Sequence, residues 1–423
     1  MIKKLFFIGL SVLLLVGAAT PVLSSNWILS SGGSDLPADL ATKVSEAGGT
    51  LLRVIQGSGV AIADFSSRSD ATAMTAHNLT VMPDVKIQWV PVGAKQLEGA
   101  SIGSNETYYN YQWHLPQIEA DKAWDKGVTG AGVRVAVLDS GIWYGHPDLY
   151  YNIDFAASTT FVPGTTDFFD DNGHGTHVSG IIAAADDDWG SIGVAPNATL
   201  IGVKVLDASG SGSFSQIVDG IYHAVDQNAD IINMSLGGSL KLFGDPPYYT
   251  AQDAFELLFM VGKAIFHAKA NGCLVVCSAG NDADDMDHNG DLIYLPVEAG
   301  GLAVSATGPY LLADFDRPAS YTNYGKWAID VAAPGGDYAA YPDPNYHLDM
   351  VFSTYPGGWA WLAGTSMASP VVAGVAALVL EKKGSMSPWM LEWRLEWSAD
   401  DFGNWFKSKY YGWGRVNARK AIK

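Results

Sequence analysis

Residues 133–141, VRVAVLDSG, carry the clearest indication of fold in this chain. The stretch opens with a nearly continuous apolar run and ends in Asp139, followed by two small residues. Such runs are typical of strands buried on both faces of a parallel sheet, because a half-exposed strand would alternate apolar and polar residues. The stretch therefore predicts a buried parallel strand with a carboxylate at its carboxyl end.

Similar runs alternate with helical patterns along the rest of the chain. Apolar runs recur at 198–206, 229–236 and 272–281. Helical patterns lie at 174–185, 213–228, 251–271 and 367–382. This alternation predicts an α/β domain with a doubly wound, mostly parallel sheet, whose functional groups gather at the carboxyl ends of the strands.

Length and composition predict a globular protein of more than one part. The chain has 423 residues, of which 48% are hydrophobic and 16% charged. That length exceeds what one hydrophobic core normally supports, and the apolar content argues against disorder. We expect two domains together with segments that are removed.

The charge is acidic and unevenly distributed. The net charge is −19, yet residues 1–105 contain seven basic and seven acidic residues, so the whole excess lies in residues 106–423. A surface of this sign repels nucleic acid and attracts cations, including metal ions and basic peptides. We therefore expect no nucleic-acid partner.

The N-terminus has the pattern of a secretory signal. Two lysines precede an apolar run from Leu5 to Ala19, and small residues follow at 24 and 25. A membrane anchor is the alternative, but the run is shorter than the roughly 20 residues needed to span a bilayer. We predict a signal peptide at 1–24, a secreted, extracellular protein, and no stable membrane anchor after cleavage.

Two cysteines follow, Cys273 and Cys277, both in the run at 272–281. A strand rises about 3.3 Å per residue, so the Cα atoms of residues four apart on one face are too far from each other for a disulfide. Both are predicted to be buried thiols.

The segment before the α/β pattern is predicted to be a small α+β unit at 26–92. Helices are expected near 37–47 and 70–77, and a strand at 85–90 completes a ferredoxin-like β-α-β-β-α-β order. Residues 93–107, rich in Gly and Ser, are predicted to be a linker, and the large domain to occupy 108–423.

Three short motifs in that domain each contain one reactive side chain: Asp139 in VAVLDSG, His174 in NGHGTHVSG and Ser366 in GTSMASP. Each alone is common in α/β proteins. A serine hydroxyl, however, becomes a useful nucleophile only when a histidine takes its proton and a carboxylate orients that histidine. The three together predict a catalytic triad.

A nucleotide-binding α/β protein, with Asp139 as a ribose ligand, is the alternative from another class. The glycines in TGAGVRV precede their strand, whereas a dinucleotide fingerprint follows its strand and opens a helix. A non-catalytic binding protein that keeps the fold would be expected to lack at least one of the reactive residues.

The motifs of residues 108–423 resemble, in sequence and in order, those of the subtilisin-like serine proteases, or subtilases. They are DSGIWYGHPDL, NGHGTHVSGIIAA, SLGG, SAGN and GTSMASP. The unit at 26–92 resembles, in element order and size, the inhibitory propeptide of that family. The resemblance implies a secreted serine endopeptidase made as an autoprocessed precursor, with a maturation site in or near 93–107. It further implies polypeptide substrates, the propeptide as intramolecular inhibitor, and a monomer.

By the same resemblance, Ser366 is the nucleophile, His174 the general base and then acid, and Asp139 its orienting carboxylate. Asn281, in SAGN, matches the side chain that helps to stabilise the tetrahedral intermediate together with the Ser366 N–H. A turn residue ending a strand is the alternative for Asn281, because Gly-Asn is a common turn pair.

The resemblance also implies a substrate cleft. Two segments would flank an extended peptide as added strands. A hydrophobic pocket for the residue four positions before the cut, and a specificity pocket beside the cut, would adjoin them. The implied residues are Gly210, Ser211, Gly212, Phe214, Ile217, Ser235, Leu236, Gly237, Ser278, Ala279, Gly280 and Tyr294.

Within that cleft, Phe214, Ile217 and Leu236 are equally compatible with plain core positions. Tyr294 aligns with a pocket-floor position that is glycine in some relatives, so that a tyrosine would favour small residues. The loop before it is longer than in relatives, which leaves this alignment open.

Structural calcium (Ca²⁺) is a further implication, because hard cations prefer oxygen ligands. Asp148 in HPDL matches a carboxylate ligand, and the loop ADDDWGS would complete the site, although such acidic loops are often only solvated turns. The implied ligands are Asp148, Asp187 and the carbonyls of Ala185, Trp189 and Ser191. Asp330 matches a second, weaker cation position.

Residues 239–256 depart from the family pattern as an insertion rich in aromatic residues and proline. The insertion would either close over the cleft, giving a maturation or narrow-specificity processing protease, or form a surface loop packed on its own side chains.

Overall fold

The computed structural model describes residues 25–90, the backbone of 95–96, and residues 106–403 and 406–423. The predicted signal at 1–24, the last two residues of the unit predicted at 26–92 and most of the predicted linker lie outside the described residues.

Residues 26–83 form the N-terminal unit, a four-stranded antiparallel sheet in the order β2-β3-β1-β4 with helices between its strands. Its core contains Leu29, Val44 and Phe65, all buried. The elements, followed by two short strands beyond the unit, are β1 Asn26–Ser30, α1 Leu40–Glu46, β2 Thr50–Ile55, β3 Val60–Asp64, α2 Arg68–Thr72, β4 Thr80–Pro83, β5 Lys86–Gln88 and β6 Lys95–Gln96.

The predicted β-α-β-β-α-β order is present, but its last strand was placed wrongly at 85–90. The fourth strand of the sheet is β4, and the chain then leaves the unit. Asp84 turns it away, because its buried carboxylate accepts hydrogen bonds from the N–H (3.1 Å) and hydroxyl (2.6 Å) of Ser215 at the start of a helix in the large domain. The following residues, β5, pair with that domain instead.

The large domain contains the remaining elements. Its helices are α3 His114–Gln117, α4 Ala120–Trp124, α5 Pro147–Tyr150, α6 His174–Ala183, α7 Phe214–Asp226, α8 Ala251–Ala270, α9 Thr365–Lys383, α10 Pro388–Trp397 and α11 Ala418–Ala421. Its strands are β7 Arg134–Asp139, β8 Thr159–Thr160, β9 Thr199–Lys204, β10 Ser211–Ser213, β11 Ile231–Met234, β12 Gly238–Lys241, β13 Gly244–Asp245, β14 Tyr249–Thr250, β15 Leu274–Ser278, β16 Leu292–Leu295, β17 Leu302–Thr307, β18 Val331–Pro334, β19 Val351–Tyr355 and β20 Gly358–Leu362.

Seven of these strands form one parallel sheet in the order β18-β17-β15-β11-β7-β9-β8. Alternate residues of the central strand β7 point to opposite faces. Val135 and Val137 belong to the apolar cluster that includes α6 and α9, whereas Ala136 and Leu138 belong to the cluster with α7 and α8. Burial on both faces explains the unbroken apolar run, and the predicted doubly wound architecture is confirmed.

Within the described ranges, α9 alone is long and apolar enough to span a bilayer, and 83% of that stretch is buried. It runs through the core between the sheet and α6. Cys273 and Cys277 are free and buried, as predicted, and burial raises the pKa of both thiols.

The insertion predicted at 239–256 packs on its own side chains. β12 pairs with β16, and β13 and β14 form a small hairpin before α8. The Tyr249 hydroxyl accepts the Lys241 N–H at 2.8 Å, and Tyr249 and Leu240 are buried. The segment therefore packs partly on itself and partly on β16 and the apolar cluster that includes α7 and α8.

The N-terminal unit packs on α7 and α8 through ion pairs and apolar contacts. Arg53 pairs with Asp219 of α7, and Arg68 with Asp253 of α8, both at 2.6 Å. The Lys263 ammonium of α8 donates to the carbonyls of Gly33 and Ser58. Complementary charges thus hold the unit against one face of the large domain.

Candidate active site

The four predicted catalytic residues lie at the carboxyl edge of the sheet. Asp139 ends β7, His174 opens α6, Asn281 follows β15 and Ser366 lies in the first turn of α9. The strands β7, β11 and β15 are neighbours in the sheet. Segments up to 227 residues apart in the sequence are therefore brought to one edge.

His174 and Asp139 form a buried pair. Nδ1 of His174 lies 2.8 Å and 3.0 Å from the two carboxylate oxygens of Asp139. Burial by itself lowers the pKa of His174, but the Asp139 carboxylate and the nearby charge of Asp170 raise it more, so the net shift is upward. The pair can therefore hold a proton on Nδ1 and leave Nε2 to exchange protons.

A second carboxylate, Asp170, binds the first turn of α6. It was not identified from the sequence. Its oxygens accept the N–H groups of Gly173 and Thr176 and the hydroxyl of Ser140. Free amides at a helix start need such acceptors. The signal available was an aspartate four residues before His174, but only the folded chain shows which groups it binds.

Ser366 is held from behind by a chain of hydrogen bonds. The Ser235 hydroxyl donates to the carbonyl of Ser366 at 2.7 Å, and the Asn233 amide donates to Ser235 at 2.9 Å. The Ser369 hydroxyl closes the chain on Asn233 at 2.8 Å. In the described part of the chain no hydrogen bond joins the Ser366 hydroxyl to His174, and such contacts commonly tighten only when substrate is bound.

Asn281 has its amide oriented by Thr365. Its Oδ1 accepts both the N–H and the hydroxyl of Thr365, each at 2.9 Å. The Nδ2 group donates to no described residue. It lies close to Gly364, 3.6 Å from where the Cβ of a larger residue at that position would be. The amide N–H groups thus remain available beside the N-terminus of α9, where backbone amides and the helix dipole favour negative charge.

An extended segment from beyond the N-terminal unit lies between two of the segments that were predicted to flank the substrate. β5 pairs antiparallel with β10, placing Gln88 opposite Ser211 and Ile87 opposite Gly212. The N–H of Trp89 donates to the carbonyl of Gly210 at 3.0 Å, and its carbonyl accepts the Gly237 N–H at 3.2 Å. The segment is therefore hydrogen-bonded on both sides, as an added strand would be.

Trp89 packs against residues that were predicted to line the hydrophobic pocket. Its ring lies edge-on to Phe214 with centroids 5.1 Å apart, and its indole N–H donates to the Gly212 carbonyl at 2.8 Å. Phe214, Ile217 and Leu236 belong to the same apolar cluster as Trp89, which is only 3% exposed. These side chains line the cleft and the core at once.

Tyr294 lies beneath the segment 278–280. Its ring lies close to Gly280, 3.6 Å from where the Cβ of a larger residue at that position would be. Its hydroxyl donates to Asp284 at 2.9 Å. Ser278 bonds back to the Leu236 carbonyl at 3.3 Å, and Ala279 is buried. The tyrosine is itself buried, and burial raises its pKa.

The predicted calcium residues surround the buried carboxylate of Asp148. One oxygen accepts the Ser191 N–H at 2.8 Å, the Ser191 hydroxyl at 3.0 Å and the Trp359 indole N–H at 3.0 Å. The other, Oδ1, is buried without a hydrogen-bond partner. Ala185 donates its N–H to the Asp148 carbonyl at 2.8 Å, and Trp189 donates its N–H to Asp187 at 3.2 Å.

Glu106 is a further member of this cluster that sequence reasoning missed. Its Oε1 accepts the N–H groups of Asp187 and Asp188 at 3.1 Å. Burial, together with the charge of Asp187, raises the pKa of Glu106 to about 7 and that of Asp148 to about 6. No group of three or more His, Cys, Asp or Glu side chains poised to hold a metal occurs among the described residues.

Asp330, the second predicted cation position, already has a cationic partner. Lys407 places its ammonium 2.8 Å from Oδ1, and the Ala303 N–H donates to Oδ2 at 3.0 Å. The chain itself supplies the positive charge there, which argues against a calcium ion at Asp330.

A histidine–carboxylate pair, a serine at a helix start and a cleft that binds extended peptide, all at one edge of a doubly wound sheet, define a serine peptidase. Comparison with known proteins gives the family. The model of the subtilase family (Peptidase_S8) matches residues 130–414. The chain belongs to this family and is a serine endopeptidase.

Among curated relatives, the chain is 40% identical to M-protease of Shouchella clausii (strain KSM-K16), over 74% of this chain and 70% of that protein. It is 39% identical to subtilisin Savinase of Lederbergia lenta, over 74% of this chain and 98% of that protein. A solved structure of the epidermin leader peptide processing serine protease (EpiP) from Staphylococcus aureus has a TM-score of 0.76 at 22% identity, covering 94% of this chain and 97% of that one. At that identity the likeness concerns the fold alone.

Proposed function

We propose that this chain is the precursor of a secreted, calcium-stabilised endopeptidase, in which residues 26–92 block the cleft until Ser366 cleaves the connection. The observation that carries the proposal is the segment 86–90, hydrogen-bonded to Gly210 and Gly237 in the position of a substrate. A peptide bound as an added strand places its downstream bond beside the nucleophile.

In the proposed reaction, the Ser366 hydroxyl attacks the scissile carbonyl carbon while His174 takes its proton through Nε2. The oxyanion then lies between the Asn281 amide and the Ser366 N–H. His174 gives the proton to the leaving amine, and water releases the acyl group by the reverse roles. Asp139 holds the imidazole in the required tautomer and stabilises its charged form.

The same contacts give the N-terminal unit its inhibitory role. Trp89 is buried against Phe214, Arg53 and Arg68 pair with α7 and α8, and Asp84 binds the start of α7. A blocking segment anchored by a folded unit loses little entropy on binding, because the unit positions it in advance. Cleavage of the linker removes this advantage, so that the unit can dissociate or be degraded.

Calcium is proposed at Asp148. One oxygen of Asp148 is buried without a hydrogen-bond partner, and burial together with the charge of Asp187 raises the pKa of both Asp148 and Glu106. A hard cation would neutralise this concentration of negative charge. The residues proposed to hold the ion are Asp148 and Asp187, with carbonyls of Ala185, Trp189 and Ser191. Glu106 adds charge to the same site.

Preference for small residues beside the cut is proposed from Tyr294. The ring lies under Gly280 and is fixed by Asp284, so it fills space that a glycine would leave open. Together with the aromatic pocket that Trp89 occupies, this favours a narrower specificity than that of a general protease.

The test compares purified precursor with its Ser366→Ala variant. The unsubstituted precursor is expected to be cleaved in or near the linker, at about residues 90–105 of the sequence, and the variant is expected to stay whole. A variant at the exposed Ser45 controls for handling. Normal shortening of Ser366→Ala with no other protease present would show that processing is not its own.

A further inference from the structure

Helix α10 has two apolar faces. Pro388, Leu391 and Leu395 form its inner face and are buried against the domain. On the outer face lie Trp389, Met390, Trp393 and Trp397, which are 49%, 60%, 55% and 70% exposed. These four residues are called the tryptophan face.

The tryptophan face is unusual for a surface helix. The three tryptophans follow at intervals of four residues, so they form one row along the helix. The rings of Trp393 and Trp397 stack, with centroids 5.7 Å apart and planes 17° apart. An exposed helix normally presents polar residues outward, and apolar residues on both faces indicate that the second face is also covered.

The charge of the surrounding segment shows what kind of surface would cover it. Residues 382–423 contain nine basic and four acidic residues, whereas residues 1–381 carry a net charge of −24. Four of the nine basic residues, at 407, 415, 419 and 420, form ion pairs with acidic side chains, so they add little to the charge around α10. Lys382 and Lys383, just before α10, are exposed and make no ion pair with any described residue. The acidic Glu392 of α10 is engaged by Lys269 at 2.5 Å.

The remaining acid of the helix, Glu396, lies on its flank and is half-buried. Together with Glu392 it lines a cavity of about 300 Å³ beside Lys269 and Asp330. Neither carboxylate belongs to the tryptophan face. The exposed side chains there are therefore apolar, with basic residues at the end of the helix where the chain enters.

The face also lies far from the cleft. α9 begins at the nucleophile and ends at Lys383, close to the start of α10. Nineteen helical residues span about 28 Å at 1.5 Å per residue. A surface bound to α10 would therefore leave Ser366 open to substrate.

We propose that the tryptophan face binds the surface of an anionic lipid membrane. Tryptophan side chains prefer the boundary between acyl chains and headgroups, and lysines near such a surface add attraction to anionic lipids. The acidic remainder of the chain is repelled by the same surface, so the protein is oriented with α10 toward the membrane and the cleft toward solvent.

The test measures co-sedimentation of the full precursor carrying Ser366→Ala, which prevents its own digestion, with vesicles. One set contains phosphatidylcholine alone and the other one third phosphatidylglycerol. Binding to the anionic vesicles is expected, weakened by salt. Trp393→Ala/Trp397→Ala should lower the partition coefficient about tenfold or more. Lys382→Gln/Lys383→Gln should lower it about fivefold for each charge.

The control is Phe255→Ala/Phe266→Ala, which removes two exposed aromatic rings from α8, 54% and 65% exposed. It should bind like the unsubstituted precursor, and the active enzyme with the tryptophan substitutions should hydrolyse a soluble peptide normally. Absence of vesicle binding, or binding unaffected by the tryptophan substitutions, overturns the proposal. So does dimerisation in solution that those substitutions abolish, because the face would then bind a second copy.

Discussion

Trp89→Ala is expected to weaken inhibition of the mature enzyme by the N-terminal segment. Trp89 lies outside the sheet of the N-terminal unit, and its indole packs against Phe214 of the large domain. Its removal therefore affects the contact between the two parts and not the core of the unit. This separation makes Trp89 a specific probe of cleft occupation.

The magnitude follows from burial and one hydrogen bond. Trp89 is 3% exposed, and replacing a buried tryptophan by alanine costs about 3–5 kcal/mol, a weakening of about 10²–10³-fold or more. Trp89→Phe keeps most of the apolar contact but loses the hydrogen bond to the Gly212 carbonyl. That loss costs about 1–2 kcal/mol, or about 5- to 30-fold.

The assay adds residues 25–92 as a separate chain to mature enzyme and follows hydrolysis of a chromogenic peptide. The inhibition constant should rise in the order unsubstituted, Trp89→Phe, Trp89→Ala. Ser45→Ala, on the exposed surface of α1, should leave it unchanged. An inhibition constant for Trp89→Ala within threefold of the unsubstituted value, with the unit still folded by circular dichroism, would refute cleft occupation by this segment.

Asn281→Ala should lower kcat about 10²–10³-fold with little change in KM, measured by steady-state kinetics, because its amide acts only on the developing oxyanion; an unchanged kcat would assign Asn281 to the turn alone. Since Asp139 raises the pKa of His174 and the base must be neutral, activity should fall as the pH drops through a value above 6.5. Asp139→Asn should move that acid limb of the kcat/KM profile to lower pH and cut kcat about 10⁴-fold. Chelation of calcium should shorten the half-life of the unsubstituted enzyme at elevated temperature, because calcium at 100 times its Kd contributes about 2.7 kcal/mol to stability. The Asp148→Asn variant should have a short half-life with or without chelator. Equal half-lives of the unsubstituted enzyme with and without chelator would count against the calcium site. Tyr294→Gly should extend cleavage to large residues beside the cut in a peptide library, and an unaltered profile would contradict the proposed pocket floor.

The strand at 86–88 illustrates where sequence reasoning failed. Residues 85–90 were assigned to the small α+β unit that precedes them. The alternation of apolar and polar residues and the length of the stretch predict a strand, but they do not show which strand it pairs with. The partner is fixed by Asp84, which binds Ser215 of α7, 131 residues away. Pairing across such a separation leaves no local pattern.

The sequence by itself determined the large domain and its reactive residues. The buried strands were predictable because both faces of a parallel sheet require apolar side chains, and Asp139, His174, Asn281 and Ser366 lie in short motifs of small residues. Only the tertiary structure decided what holds them. Asp170, Thr365 and Ser235 orient the site through hydrogen bonds between segments that are distant in sequence. Glu106 meets the N–H groups of Asp187 and Asp188 only in the folded chain. The outward tryptophans of α10 were likewise invisible beforehand, because an apolar helix pattern is the same whether its second face is buried or exposed. Local chemistry is encoded by neighbours in sequence, whereas orientation, electrostatics and exposure depend on contacts made by folding.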